Sequence, residues 1–172
     1  MQEKLRSKHY KGWYSIADDR RCVLCEGEHG KLYAMNERPY PQPPLHIRCR
    51  CIIRPIEAKR AGTATKKKIN GADWWLKNFG HLPDYYLSPR EARALGWMPE
   101  YGNFAQSAPG KMLAKGIYRN KNGHLPSAPG RIWHEADIDY AGGWRGLHRI
   151  LYSNDGLIFV TYDHYKTFIE II

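Results

Sequence analysis

The sequence has no long apolar run. None of its segments approaches the roughly 18 consecutive apolar residues that a membrane-spanning helix needs. The amino-terminal stretch "MQEKLRSKHYKGWY" lacks the apolar core of a signal peptide. These absences exclude helical membrane spans, and we expect no membrane partner and a cytoplasmic location.

Cysteine is missing from most of the chain. All four cysteines lie between Cys22 and Cys51, so residues 52–172 contain none. This excludes a disulfide framework for the larger part of the protein and makes the cysteines a local site.

Acidic side chains are scarce relative to basic ones. The chain of 172 residues has 17 Asp and Glu against 27 Lys and Arg, a formal net charge of +10. This excess favours association with polyanions such as nucleic acid. Hydrophobic residues make up 42% and aromatic residues 13%, which permits a packed core and excludes wholesale disorder.

The stretch "EAKRAGTATKKKING" divides the chain in two. It is charged, rich in small residues and without apolar periodicity, which predicts a linker over residues 57–69. The linker separates a cysteine-rich module, residues 1–56, from a larger C-terminal region, residues 70–172. Its "KKK" run is typical of a solvated spacer that adds at most weak attraction to phosphates.

The C-terminal region changes from helical to strand patterns along the chain. "GADWWLKNFG" and "SPREARALGW" predict two short helices, the second with Ser88 as N-cap, Pro89 at its first position and Gly96 as its stop. The later segments alternate with period two, and "SNDG" predicts a tight hairpin between two of them. These predicted strands are "RIWHEADIDY", "HRILYS", "LIFVTYD" and "TFIEI". The order predicts an α+β fold in which short helices pack on a C-terminal antiparallel sheet.

Four charged or titratable side chains in this region suggest a chemical function. Glu135, Arg145 and Arg149 lie within "HEADIDYAGGWRGLHR", and His164 follows in "TYDHYKTF". An ion-pair network would account for such charges without any substrate. A carboxylate base, an imidazole acid and two guanidinium groups are also the set that acid-base cleavage of a phosphodiester requires, with no metal.

Strand alternation predicts where Glu135 points. A strand through "RIWHEADIDY" places Trp133, Glu135 and Asp137 on one face, because neighbouring side chains alternate. The two acids suit an open face of the sheet. We therefore expect Glu135 to be exposed to a ligand.

The same segments resemble the barnase-type family of microbial guanyl-specific ribonucleases. The resemblance covers about residues 70–172 and is carried, in order, by "LSPREARALGW", "IYRNKNGHLP", "GRIWHEADIDY", "RILYS" and "DHYKTF". It implies the microbial ribonuclease fold and an endoribonuclease that cleaves single-stranded RNA to a 2′,3′-cyclic phosphate. It implies no cofactor for catalysis.

The resemblance also assigns roles to individual residues. Glu135 falls on the family's general base and His164 on its general acid, while Arg145 and Arg149 fall on the phosphate-binding arginines. Asp137 is expected to support an arginine. The residues expected to contact the substrate are Tyr118 and Tyr165, which would flank a base by stacking, together with Asn120, Asn122 and Arg90.

Two positions depart from the family pattern. The family has a lysine before its "EA..LGW" helix, where this chain has Pro89 followed by Arg90. Arg and Lys are not equivalent as phosphate ligands, so we expect some loss of activity even where Arg90 substitutes. The family also has a guanine-accepting Glu where this chain has Asn122, which offers a donor as well as an acceptor and so weakens the expectation of strict guanine preference.

The cysteines form two pairs with the spacing of a structural zinc site. Cys22-x-x-Cys25 and Cys49-x-Cys51 are separated by 23 residues. Each pair can bind one edge of a tetrahedral zinc ion, and His46 is an alternative ligand in place of Cys49 or Cys51. Two disulfides would use the same four residues, but a reducing cytoplasm favours zinc.

The module resembles the C-terminal end of phage Mu type head-morphogenesis (minor head) proteins. The resemblance rests on "DDRRCVLC" and "PPLHIRCRC" within residues 1–56. A fusion of this module to a nuclease resembles the polymorphic toxins of bacteria. It implies a bacterial cytoplasmic protein, virion-associated or delivered to target cells, whose partners are RNA, an acidic barstar-like immunity protein and phage head proteins. The alternative function is a packaging protein whose basic domain binds nucleic acid without turnover.

Overall fold

The protein consists of nine strands and four short α-helices in the computed structural model, which describes residues 4–172. The strands are β1 (Arg6–Tyr14), β2 (Leu32–Ala34), β3 (Ile52–Lys59), β4 (Tyr86–Leu87), β5 (Met112–Tyr118), β6 (Trp133–Asp137), β7 (Arg149–Ser153), β8 (Ile158–Thr161) and β9 (Ile169–Ile171). The helices are α1 (Val23–Glu28), α2 (Ala72–Phe79), α3 (Pro89–Ala94) and α4 (Phe104–Ser107). The predicted α+β class is confirmed. Among residues 4–172, none of the helices has the length and apolar character needed to cross a bilayer.

All nine strands belong to one sheet in the order β2-β1-β3-β9-β8-β7-β6-β5-β4. Strands β5 to β9 pair antiparallel with their sequence neighbours. The hairpin between β7 and β8 turns at "SNDG", where Gly156 has φ +92. This left-handed conformation favours glycine, so the local sequence sets the turn.

The ends of α2 and α3 follow from local chemistry. Helix α2 ends at Gly80, which adopts φ 76 as a left-handed cap. Helix α3 begins with a capping box in which Ser88 and Glu91 satisfy each other's backbone N–H groups, and Pro89 occupies its first turn. These signals set the end of α2 and the start of α3.

Apolar side chains are buried on both faces of the central strands. Ala72 and Leu76 of α2 pack against Ala136, Ile150 and other residues on one face. The opposite face is covered by a second cluster, which comprises Leu32, Ile56, Leu125, Trp133, Leu151, Phe159 and Phe168. Leu32 and Ile56 come from the cysteine-rich module, so the module supplies part of the cover of this second face.

The structure corrects the prediction of a linker over residues 57–69. Strand β3 extends to Lys59, and its last residues pair parallel with β9, with Ala58 opposite Glu170. Asp73 of α2 then holds the following turn, because its carboxylate accepts hydrogen bonds from the N–H groups of Gly62 and Ala64. Local composition indicated a spacer because these partners lie far away in sequence or in the next helix. The module and the C-terminal region are therefore joined through a continuous sheet.

Candidate active site

Glu135 lies at the centre of the candidate site, on β6. The sequence predicts an exposed carboxylate, but Glu135 is only 5% accessible. The prediction was wrong because the face that carries Trp133 and Glu135 is not open: Trp133 packs in the second apolar cluster, and other side chains cover the carboxylate. A buried carboxylate needs partners, since desolvation of an unpaired charge is costly.

Both oxygens of Glu135 have a partner. The hydroxyl of Tyr165 donates to Oε2 at 2.6 Å. The ammonium of Lys115 lies 3.2 Å from Oε1. Burial and the hydrogen bond to Glu135 raise the pKa of Tyr165, so its phenol remains a donor at neutral pH.

Asp137 positions the two arginines that the sequence singles out. Arg145 donates to both carboxylate oxygens of Asp137 at 2.6 Å, through Nε and Nη2. Arg149 lies directly opposite Asp137 across β6 and β7, with its Nε 3.1 Å from Oδ1. Arg149 also donates through Nη1 to the carbonyls of Gly146 and His148. Asp137 therefore fixes both guanidinium groups beside Glu135.

His164 lies in the loop between β8 and β9, next to Tyr165. It is exposed and has φ +57, and Tyr165 has φ +68. Asp163 holds this left-handed loop, because its carboxylate accepts hydrogen bonds from Thr161 Oγ1 and from both the N–H and the Oγ1 of Thr167. Non-glycine residues in this conformation are costly and persist only where the surroundings fix them. The imidazole of His164 faces solvent, and its ring centroid lies 4.7 Å from that of Tyr165.

Tyr118 and Tyr165 stack directly on each other. Their ring centroids are 5.3 Å apart and their planes differ by 20°. The sequence predicts that these rings flank a base, but this contact leaves no gap between them for a third ring. A base can stack only on an outer face of the pair unless one ring moves.

Asn120 and Asn122 have different environments in the loop after β5. The amide of Asn120 donates to the carbonyl of Leu125 at 2.8 Å and accepts from its N–H at 3.0 Å. The side chain therefore closes the loop, and its expected contact with a base stays a prediction. Asn122 is exposed at the turn and lines a cleft beside His164.

The expected substitution of the family lysine by Arg90 is also corrected. A cavity of about 390 Å³ beside Arg145, here called the Arg145 cavity, is lined by Pro89, Arg93 and Lys115 among others. Arg90 is exposed and is not among its lining residues. Residues 89 and 93 are four apart and share one face of α3, whereas residue 90 points to another face.

Lys115 is a site residue that the sequence did not reveal. The register of β5 and β6 shifts between Ala114 and Gly116, and Gly116 has φ +87. This irregularity places Lys115 beside Glu135 and at the Arg145 cavity, which simple alternation does not predict. A lysine followed by glycine in the middle of a strand is the one local signal for it.

The cysteine-rich module brings its predicted metal ligands together. Cys22, Cys25 and His46 form one group, and Cys25, Cys49 and Cys51 form another, with the ligand atoms in each group within 4.8 Å of one another. His46 Nε2 lies 3.2 Å from both Cys22 Sγ and Cys25 Sγ. All four cysteines are free thiols. The donor set fits a tetrahedral zinc ion, with Cys25 common to both groups.

Comparison with known proteins concerns the C-terminal region. A family model for ribonuclease matches residues 76–172. The chain is 46% identical over 103 residues to a ribonuclease of Heyndrickxia coagulans, a match that covers 60% of this chain and 94% of that protein. Ribonucleases of Bacillus intermedius and Bacillus pumilus are also 46% identical over 103 residues, and the chain spans 64% of the length of each. The cysteine-rich module lies outside the segment that the family model matches.

Proposed function

The chain belongs to the ribonuclease family, and on that premise we propose that it is an endoribonuclease that cleaves single-stranded RNA by acid-base catalysis. The observation that carries the proposal is the buried carboxylate of Glu135, which lies between Tyr165 and Lys115 and beside the arginines held by Asp137.

In the proposed reaction, Glu135 removes the proton from a ribose 2′-hydroxyl as the 2′-oxygen attacks phosphorus. The bond from phosphorus to the 5′-oxygen breaks, and the imidazolium of His164 gives its proton to that oxygen. The products are a 2′,3′-cyclic phosphate and a free 5′-hydroxyl. Every proton transfer is assigned to a side chain, so the mechanism requires no metal. In the slower hydrolysis of the ring the roles reverse: the neutral imidazole of His164 takes a proton from water as the water oxygen attacks phosphorus, and the protonated Glu135 gives its proton to the 2′-oxygen as its bond to phosphorus breaks.

Arg145 and Lys115 stabilise the phosphate in this proposal. The ammonium of Lys115 is half-exposed and lies where it can turn from Glu135 towards a phosphate in the Arg145 cavity. This movement would free the carboxylate to act as a base and place a cation on the developing charge. We propose that Lys115 takes the role of the lysine that Pro89 replaces, with Arg93 as a second cation at the same cavity.

We propose that Asn122 weakens the preference for guanine. Its amide offers both a donor and an acceptor in the cleft beside His164. The base on the 5′ side of each cut reports this preference directly.

The cysteine-rich module supports the proposal of a toxin. Its resemblance to a phage head module, joined to a ribonuclease, favours a delivered nuclease. Cys22, Cys25, Cys49 and Cys51 would hold a structural zinc ion, with His46 as the alternative to Cys49 or Cys51, and this ion would supply no chemistry to the reaction. A cell that makes the enzyme needs an inhibitor. An acidic barstar-like immunity protein would match the net charge of +10 and cover Arg145, Arg149 and His164. Titration with such an inhibitor that leaves RNA cleavage unchanged would contradict this partner.

The test of the proposed function is Glu135→Gln assayed for both RNA cleavage and RNA binding. We expect cleavage to fall by about 100-fold or more, because a general base typically contributes that factor, while RNA binding persists. Glu170→Gln is a matched control, since Glu170 is a buried glutamate of the same sheet that bonds to Ser7 and His9. Binding without cleavage in the unmodified protein would favour a packaging protein.

A further inference from the structure

A cleft of about 490 Å³ lies between the cysteine-rich module and the loop that carries His164. We call it the His164 cleft. One wall is formed by Tyr118, His164 and Tyr165, and the facing wall includes Arg21 and Glu26 of the module. Its volume is within the range of roughly 300–1,000 Å³ that is usual for ligand sites.

The two walls of the His164 cleft are held together by backbone contacts. The N–H of Leu32 donates to the carbonyl of His124 at 2.8 Å. Gly30 lies so close to the His164 loop that an added Cβ would overlap the carbonyl oxygen of Lys166. Leu32 and Leu125 also share the second apolar cluster. The position of the module beside His164 is therefore fixed by packing and hydrogen bonds.

Arg21 is the cation that the module contributes to the His164 cleft. Its side chain is 22% accessible and pairs with Glu26 at 2.9 Å, and the Glu26 side chain is 62% accessible. An exposed ion pair of this kind contributes little to stability and can be exchanged for another anion. The guanidinium geometry suits a phosphate, which can accept two parallel hydrogen bonds from it.

We propose that the cysteine-rich module extends the substrate site, with Arg21 binding a backbone phosphate of RNA that flanks the phosphodiester being cleaved. The stacked tyrosines offer an outer aromatic face to the neighbouring base, and Arg21 on the opposite wall binds the phosphate next to it. The Arg145 cavity and the His164 cleft then bind consecutive parts of one strand on either side of Glu135. This inference rests on the proposed function.

The test compares kcat/KM for a ribodinucleoside monophosphate, which has no flanking phosphate, with that for a longer single-stranded oligonucleotide. We expect the native chain to prefer the longer substrate, and Arg21→Ala to reduce this preference by about tenfold, the value of one charge-assisted contact. Arg20→Ala is the matched control, because Arg20 is 76% accessible and does not line the His164 cleft. It should retain the preference.

Glu26→Gln is a second variant, and we expect it to change the preference for the longer substrate in the opposite direction. It removes the anion that competes with phosphate for Arg21, so the preference for the longer substrate should rise, an outcome that a folding defect cannot imitate. An unchanged preference in Arg21→Ala, or equal losses in Arg21→Ala and Arg20→Ala, would overturn the inference. Cleavage of both substrates by the native chain without preference would also overturn it. Cleavage of neither would overturn the proposed function itself.

Discussion

The C-terminal region buries apolar side chains on both faces of its strands, whereas the cysteine-rich module buries a cluster of its own that is centred on Trp13, Cys25 and Cys51. The buried core of the module thus includes two of its proposed metal ligands, Cys25 and Cys51. Its other buried apolar residues, such as Leu32 and Ile56, pack against the C-terminal region instead.

The two regions therefore differ in what stabilises their fold. Most of the apolar burial belongs to the C-terminal region, and Leu32 and Ile56 of the module add to one of its two clusters. The module is small, and a bound metal would supply folding free energy that its own core lacks. In the proposed mechanism the module contributes only a wall of the site, and the groups that move protons, Glu135 and His164, both belong to the C-terminal region.

The largest expected effect comes from removal of the zinc ion that we propose for the module. Structural zinc contributes on the order of 10 kcal/mol in small domains. A chelator should therefore abolish hydrogen-exchange protection within residues 15–51 and leave β6 to β8 protected. Cys25→Ala should act like the chelator, because Cys25 belongs to both ligand groups. Full hydrogen-exchange protection of the module in metal-free protein would contradict this difference between the two regions. An intact-protein mass showing that the cysteines are joined in disulfides would contradict it as well.

A smaller effect is expected inside the C-terminal region from Asp137→Ala. It leaves Arg145 and Arg149 without their shared carboxylate, and breaking a buried ion pair costs about 3–5 kcal/mol. Chemical denaturation should show this loss. Asp155→Ala is the control, since Asp155 forms a similar pair with Arg131 but its side chain is 44% accessible, and exposed pairs contribute about 0–1 kcal/mol. Equal losses in the two variants would refute the role given to Asp137.

The contact between the two regions should be sensitive at Gly30. Gly30→Ala introduces a Cβ against the Lys166 carbonyl at a residue with φ +84, and we expect a loss of about 1–3 kcal/mol in thermal or chemical unfolding. Gly27→Ala in α1 meets nothing within 4 Å and should instead stabilise by about 0.5–1 kcal/mol. A neutral Gly30→Ala would mean that the module is not packed on the His164 loop.

The smallest expected effect is the pH dependence of the His164 loop. Burial alone would raise the pKa of Asp163, but hydrogen bonds from Thr167, Thr161 and Lys166 outweigh it and lower the pKa below its usual value. A carboxylate whose pKa is lower in the folded state than in the unfolded state stabilises the fold at pH values above its unfolded-state pKa of about 3.9. This contribution disappears as the pH falls through the folded-state pKa.

The Tm of the native protein should therefore exceed that of Asp163→Asn by a constant amount above about pH 4, and the difference should close in stronger acid. Asp84→Asn, on an exposed turn, should show no such gap. A difference that widens in acid would contradict the assigned hydrogen bonds.

Local signals predicted the parts of the fold that depend on neighbouring residues. Ser88 with Pro89, the stop at Gly96 and the "SNDG" turn each act within a few residues, and the structure has the corresponding helix and hairpin. The sequence also predicted that one site groups Glu135, Arg145, Arg149 and the His164 loop, because their order and spacing resemble a known family.

Long-range contacts explain what the sequence did not predict. The pairing of Ala58 with Glu170 converts an expected linker into sheet, and no local pattern encodes a partner so far along the chain. Glu135 is buried because Tyr165 and Lys115 cover it from other strands and loops. The displacement of Lys115 depends on an irregularity in the pairing of β5 with β6, which alternation cannot anticipate.

The most direct test of the account is cleavage of a mixture of ribodinucleoside monophosphates in excess EDTA, with products identified by mass spectrometry. These substrates have no flanking phosphate, so loss of the proposed zinc ion from the module should not remove a contact that they need. We predict 2′,3′-cyclic phosphates from the native chain in EDTA, and none from Glu135→Gln or His164→Ala. Cleavage that requires added metal, or that persists in Glu135→Gln, would contradict acid-base catalysis by the C-terminal region.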